Sequence, residues 1–144
     1  MLAANVHNCQ KLLQNDPKGR TTLEPVVWDL TASLHKAGDA RDRLHILMKG
    51  WGFYLPMASS ILSVLWPDDF SVYDVRVCGQ LRRFHKLGNK TDFDRIWSGY
   101  QEYLEAVRSA APSGLSLRDA DRFLWGKSAA EQLAQDVEQG FLRT

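Results

Sequence analysis

Apolar positions recur every three to four residues along nearly the whole chain, the period of an amphipathic helix and not of a strand. A first helix is expected over Asn5 to Gln14, stopped by Asp16-Pro17-Lys18-Gly19. Leu23, Val26, Val27, Leu30 and Leu34 form the stripe of a second helix, with Thr22 as N-cap and Pro25 in its first turn, ending near Gly38. Asp39 is placed to cap a short third helix that carries Leu44, Ile46 and Leu47 and closes at Gly50. Met57, Ala58, Ile61, Leu62 and Leu65 make the next stripe, closed by Trp66-Pro67-Asp68-Asp69.

Asp74 then stands before a helix with Val77, Cys78, Leu81 and Phe84, expected to run to Gly88-Asn89. The strongest periodicity follows: Phe93, Ile96, Trp97, Tyr100, Tyr103, Leu104 and Val107 hold one face until Ala111-Pro112-Ser113-Gly114 breaks the pattern. Ser116 with Asp119, and Ser128 with Glu131, both fit the S-x-x-[DE] capping pattern and predict two last helices. Phe70-Ser71-Val72-Tyr73 is the one extended run, and a single run makes no sheet. The expected fold is all-α. It is a compact bundle of seven to eight helices in a single domain over 1–144, with a hairpin at about 40–65, an aspartate-bearing loop at 66–74 and C-terminal helices within 91–139.

Composition adds limits. The chain has 144 residues, 44% apolar and 24% charged, with five Trp, six Phe and four Tyr, enough aromatic bulk for a packed core. The longest uncharged run, Gly50 to Pro67, is too short and too mixed to span a membrane, and the N-terminus lacks a basic-then-apolar leader. Two cysteines, Cys9 and Cys78, make neither a disulfide framework nor a four-thiolate metal site, so a reducing, cytoplasmic setting is expected. His7, His35, His45 and His85 have no metal-ligand spacing, and no phosphate-loop, dinucleotide or nucleophile-elbow motif occurs, so neither metal nor cofactor is expected.

The formal charge of +1 hides an asymmetry. Residues 1–91 carry 12 Lys/Arg against 8 Asp/Glu, whereas 92–144 carry 6 against 9. Arg76, Arg82, Arg83, Lys86 and Lys90 occur with no acid between Val75 and Thr91. Such a surface suits phosphate, and equally suits a solvated face with no partner.

The Gly-rich junction Leu47-Met48-Lys49-Gly50-Trp51-Gly52-Phe53-Tyr54-Leu55-Pro56-Met57-Ala58 joins two short helices, and Asp74 follows sixteen residues after Ala58. An αα-corner and a phosphate-gripping hairpin both use glycine at such a turn. With this register, and with Ser71-Val72-Tyr73-Asp74 ending the loop, the chain resembles the helix-hairpin-helix DNA glycosylase superfamily of endonuclease III and the 8-oxoguanine glycosylases. Asp121-Arg122-Phe123-Leu124-Trp125 resembles the closing helix of some 8-oxoguanine-glycosylase-like proteins.

The resemblance implies monofunctional hydrolysis of the N-glycosidic bond of a damaged or modified base, a base-excision-repair activity with DNA as partner. Asp74 takes the catalytic place, where a carboxylate stabilises the oxocarbenium-like sugar or orients a water. Lys49, Gly50, Gly52 and Tyr54 of the hairpin, with Arg76, Arg82, Arg83 and Lys86, take the DNA-binding places. Trp51, Phe53, Tyr54 and Trp66 have the size to stack on or wedge beneath a flipped base, and equally the composition of a helix-junction core.

The departures carry information too. Aligned on Ala58, Gly52 is the first hairpin glycine and Tyr54 replaces the second; with Gly50 and Gly52 as the pair, the loop is two residues longer. Pro56 occupies the place of the Schiff-base lysine, which removes a lyase route. No cysteine follows Cys78, so the iron–sulfur loop is missing, and fewer than 50 residues precede the hairpin, a shortened member. A plain N-cap reading of Asp74 stands beside the catalytic one, with Arg76 as phosphate ligand or as orienting ion-pair partner. The alternative function is a non-catalytic helix-hairpin-helix domain binding DNA or a protein.

Overall fold

The computed structural model describes residue 10 and residues 12–141; within them every regular element is helical. Most of the helix expected over Asn5 to Gln14, with His7 and Cys9, lies outside the described residues. The chain divides into two compact units, Met1–Ala58 and Ser59–Thr144.

In the first unit, α1 (Leu23–Lys36) and α2 (Ala40–His45) bring their apolar faces inward through Val26, Leu30, Leu34 and Leu44. Thr22 holds the extended N-cap position but its side chain makes no capping bond, and Val27 of the expected stripe is exposed. Asp39 does cap, accepting the Asp42 N–H at 2.8 Å. The chain then widens into a π turn, Ile46–Gly50, with Leu47 buried. A buried acid anchors the segment before α1. The Arg20 guanidinium grips Asp16 at 2.6 and 2.9 Å and reaches Asp29 at 2.7 Å, and this pairing holds the Asp16 carboxyl well below the usual carboxylate range. Helix α3 (Leu55–Leu65) starts in this unit and ends in the next.

The second unit has α4 (Val75–Leu81), a 3₁₀ turn at Leu87–Asn89, α5 (Phe93–Ala110) and α6 (Leu117–Phe141). Helix α6 packs against both α4 and α5. Phe93, Ile96, Tyr100, Tyr103, Leu104 and Val107 of α5 are buried, the face its periodicity predicts, and Asp92 caps it by accepting the Arg95 N–H at 2.8 Å. Gly99 lets Leu87 sit against α5, since a Cβ there would meet Leu87 Cδ1 at 2.5 Å.

Two boundaries differ from expectation. Helix α4 ends at Leu81, short of Gly88-Asn89, because Arg82 turns left-handed at φ 53° and its N–H closes on the carbonyls of Cys78 and Gly79. Phe84 nevertheless keeps its place in the stripe: its ring meets Tyr103 edge-on at 5.5 Å after the chain has doubled back. The second correction concerns the C-terminus, where one helix replaces the expected two. Ser116 and Asp119 form the capping pair, with the Asp119 N–H donating to Ser116 Oγ at 3.1 Å. Ser128 lies mid-helix, since only Gly126 precedes it and a lone glycine costs about 1 kcal/mol, too little to break a helix. Among the described residues no helix is long and apolar enough to cross a membrane.

Candidate functional site

Asp74 sits at the N-terminus of α4 in extended conformation (φ −126°, ψ 144°), half-buried, with Oδ1 accepting the Arg76 N–H at 2.7 Å. That bond makes it an N-cap, and the helix dipole favours its charge. The approach to Asp74 is unusual. Residues 70–74 belong to no regular element, yet their main chain is tied down by side chains from elsewhere in the unit. The Tyr100 hydroxyl donates to Ser71 O at 2.5 Å and accepts the Ser71 N–H at 3.2 Å. The Tyr103 hydroxyl donates to Val72 O at 2.6 Å, and Ser59 Oγ accepts the Tyr73 N–H at 2.9 Å. Tyr73 in turn donates to Phe84 O at 2.6 Å, linking the loop to the turn after α4. Burial pushes the Tyr100 and Tyr103 phenols well above their ordinary range, so both remain neutral donors at neutral pH.

Behind this loop lies Asp121 of α6. Burial raises its carboxyl above the ordinary range and the Asp74 charge pushes the same way, while the Ser71 hydroxyl and the Val72 backbone oppose the rise. Ser71 Oγ and Asp121 Oδ1 are nonetheless buried atoms that close no hydrogen bond of standard geometry. Cys78 is buried on the inner face of α4 and burial pushes its thiol up to about 11, which leaves it unreactive.

The Arg76 guanidinium lies 5.7 Å over the Trp125 ring, a cation–π contact, while only its backbone N–H serves Asp74. Arg82 is the left-handed cap residue of α4 and is exposed. Arg83 lies 4.9 Å over the Phe84 ring and 3.5 Å from Glu102. Arg83 and Lys86 share a cleft of about 770 Å³ with Phe84, Lys90, Arg95 and Glu102.

The hairpin residues belong to the first unit. Lys49 and Gly50 end the π turn and are exposed. Gly52 is the glycine that the turn requires: φ is +69°, and a Cβ would stand 2.7 Å from Asn15 Nδ2, which donates to Trp51 O at 2.8 Å. Trp51 and Phe53 are core, whereas Tyr54 is 72% exposed and Trp66 is half-buried. Ala58 is fully buried.

Sequence reading missed Asp121 as part of this neighbourhood, along with Ser59, Tyr100 and Tyr103, although their sequence positions on apolar helical faces were the available signal. Arg95 is masked in the sequence by the two acids just before it, Asp92 and Asp94. Among the described residues no group of three or more His, Cys, Asp or Glu side chains is arranged to hold a metal ion. No protein-family model, no curated protein and no solved structure matches this chain.

Proposed function

We propose that this protein is a monofunctional DNA glycosylase-like enzyme of the helix-hairpin-helix kind, hydrolysing the N-glycosidic bond of a damaged or modified base. It works inside the cell, where DNA is its partner. Asp74 is the carboxylate that stabilises positive charge on the deoxyribose and orients water, while Gly52 and its neighbours grip the backbone. The observation that supports this reading is the over-determined loop before Asp74. A helix cap needs one carboxylate oxygen and an extended backbone. It does not need three tyrosine hydroxyls and a serine to fix the three residues before it. Rigid placement of a charged group where charge develops is what electrostatic catalysis requires. Pro56 supplies no amine, so the product is an abasic site with the strand intact.

The test is a set of duplexes bearing damaged or modified bases, scored for alkali-labile abasic sites. Wild type should produce them from at least one duplex, and Asp74→Asn should lose at least a hundredfold in rate while binding the same duplex equally well. A second reading, a non-catalytic DNA-binding domain, is favoured by the Arg76 N–H that already occupies Asp74 Oδ1. It expects binding without abasic sites in wild type and variant alike.

A further inference from the structure

The cleft between the 3₁₀ turn and α5 brings four cations, Arg83, Lys86, Lys90 and Arg95, against two carboxylates, Asp94 and Glu102. Glu102 is engaged by Arg83 at 3.5 Å. Lys86, Lys90 and Arg95 make no ion pair among the described residues. With Asp94 counted, the four cations exceed the two carboxylates by two, which leaves a local positive potential in a chain of formal charge +1. The cleft also presents the Phe84 ring, with the Arg83 guanidinium laid over it at 4.9 Å.

An independent observation concerns the backbone. Among the described residues, two non-glycine residues have positive φ, Arg82 at 53° and Phe84 at 72°. They flank Arg83 in the turn that forms one side of the cleft. Positive φ is uncommon for any residue with a Cβ and a genuine outlier for a bulky one such as Phe. Glycine would relieve both positions, and a turn shaped for stability alone would use it. The strain is held in place by named bonds: Arg83 N–H to Cys78 O at 3.3 Å, and the Tyr73 hydroxyl to Phe84 O at 2.6 Å. Such strain collects where a backbone is bent to present side chains for a task. Here it sets Arg83 and one side of the Phe84 ring beside Lys86 in the cleft, on the same loop that Tyr73 ties to the approach of Asp74.

We infer that this cleft is a binding groove for the phosphodiester backbone of DNA, with Lys86, Lys90 and Arg95 neutralising successive phosphates and the Arg83–Phe84 pair lying against the sugar–base edge. The inference rests on the nucleic-acid reading above and adds the place where the strand runs. Phosphate is favoured over an acidic peptide because cations and an aromatic face are interleaved within one cleft, the combination that backbone-tracking sites for nucleic acid use.

The test measures binding of a fluorescein-labelled 20-mer duplex by anisotropy across a salt series, with intact wild type and two triple variants of equal charge change. In the cleft variant, Lys86→Ala, Lys90→Ala and Arg95→Ala are combined; in the control, Arg118→Ala, Arg122→Ala and Lys127→Ala on α6. All six side chains are exposed, and thermal melts confirm folding. The cleft variant should bind at least tenfold more weakly at 100 mM salt, with a log–log salt slope flatter by about two to three, since each phosphate contact contributes about 0.9. The control should stay within twofold of wild type. Arg82→Gly should weaken binding about threefold or more while melting at or above the wild-type temperature, a split that a merely structural residue would not give.

Equal losses in both triple variants would mean diffuse charge and overturn the groove. Wild-type binding by the cleft variant would overturn it too, leaving the DNA reading intact with contacts elsewhere. Competition by polyglutamate as strong as by unlabelled duplex would overturn DNA as the occupant, and no duplex binding at any salt would end both proposals. Cleft-dependent binding without abasic sites supports the groove and sinks only the glycosylase activity.

Discussion

Replacing Tyr100 by Phe removes one oxygen and leaves the ring in place. Tyr100 is fully buried, its hydroxyl accepts from Ser71 N and donates to Ser71 O, and neither main-chain group has another hydrogen bond among the described residues. Tyr100→Phe therefore orphans a buried donor and a buried acceptor together. Each unsatisfied group costs about 1–3 kcal/mol, so the variant should lose roughly 2–4 kcal/mol even with partial relaxation. At this chain length, that corresponds to a melting point lower by roughly 7–14 °C. Tyr103→Phe is the internal standard. It frees the Val72 carbonyl, in a half-buried bond, loses a weaker contact with the Asp74 backbone, and should cost about 1 kcal/mol. Urea denaturation by tryptophan fluorescence and by circular dichroism gives both values, with an unchanged m-value showing that the same surface unfolds. Were Tyr100→Phe to fall within about 0.5 kcal/mol of wild type, or to cost less than Tyr103→Phe, the loop before Asp74 would not be pinned as described.

Two more perturbations follow from the geometry. Gly52→Ala forces a Cβ into the left-handed region and against Asn15 Nδ2, so it should cost about 1–3 kcal/mol by thermal melting, with most of the clash but none of the backbone strain relieved by adding Asn15→Ala. Asp121 has a folded-state pKa above its unfolded value, so the native state binds its proton more tightly and stability declines as pH rises from about 4 through the folded value. The stability of Asp121→Asn relative to wild type should accordingly move in the variant's favour between about pH 4 and pH 7 in urea melts; a difference that does not change with pH would contradict the burial of that carboxyl.

Much of this fold is legible in the sequence for a simple reason. Amphipathic helices announce themselves by period, and the buried face of α5 is the one that its spacing predicts. Capping was readable where an acid or serine met a free amide, as at Asp39, Asp74 and Ser116, and misleading at Thr22 and Ser128, where the same residue types do nothing of the kind. The end of α4 was hidden because Arg82 and Phe84 adopt left-handed conformations that the sequence marks with no glycine. Of the site, Asp74 and the basic run were visible as local patterns. The tyrosines that hold the loop were not: Tyr100 and Tyr103 read as core because their rings are core, and nothing local says that their hydroxyls reach back 29 and 31 residues. Asp121 stands out in the sequence only as part of a motif, since the burial that raises its carboxyl comes from packing in three dimensions.

Those long reaches affect how the chain acquires its working form. The cap bond between Asp74 and Arg76 is local and can form as soon as α4 does. The order of Ser71 and Val72, which lead into it, is borrowed from α5, and loop closure over about 30 residues must precede it. A ribosome that has released residues 59–92 has therefore made the aspartate, its helix and its cap, but not the shape that holds them. Any excised fragment that stops before Tyr103 lacks part of that shape, and one that stops before α5 leaves Asp74 a helix cap on a loop held through Ser59 and Tyr73 alone.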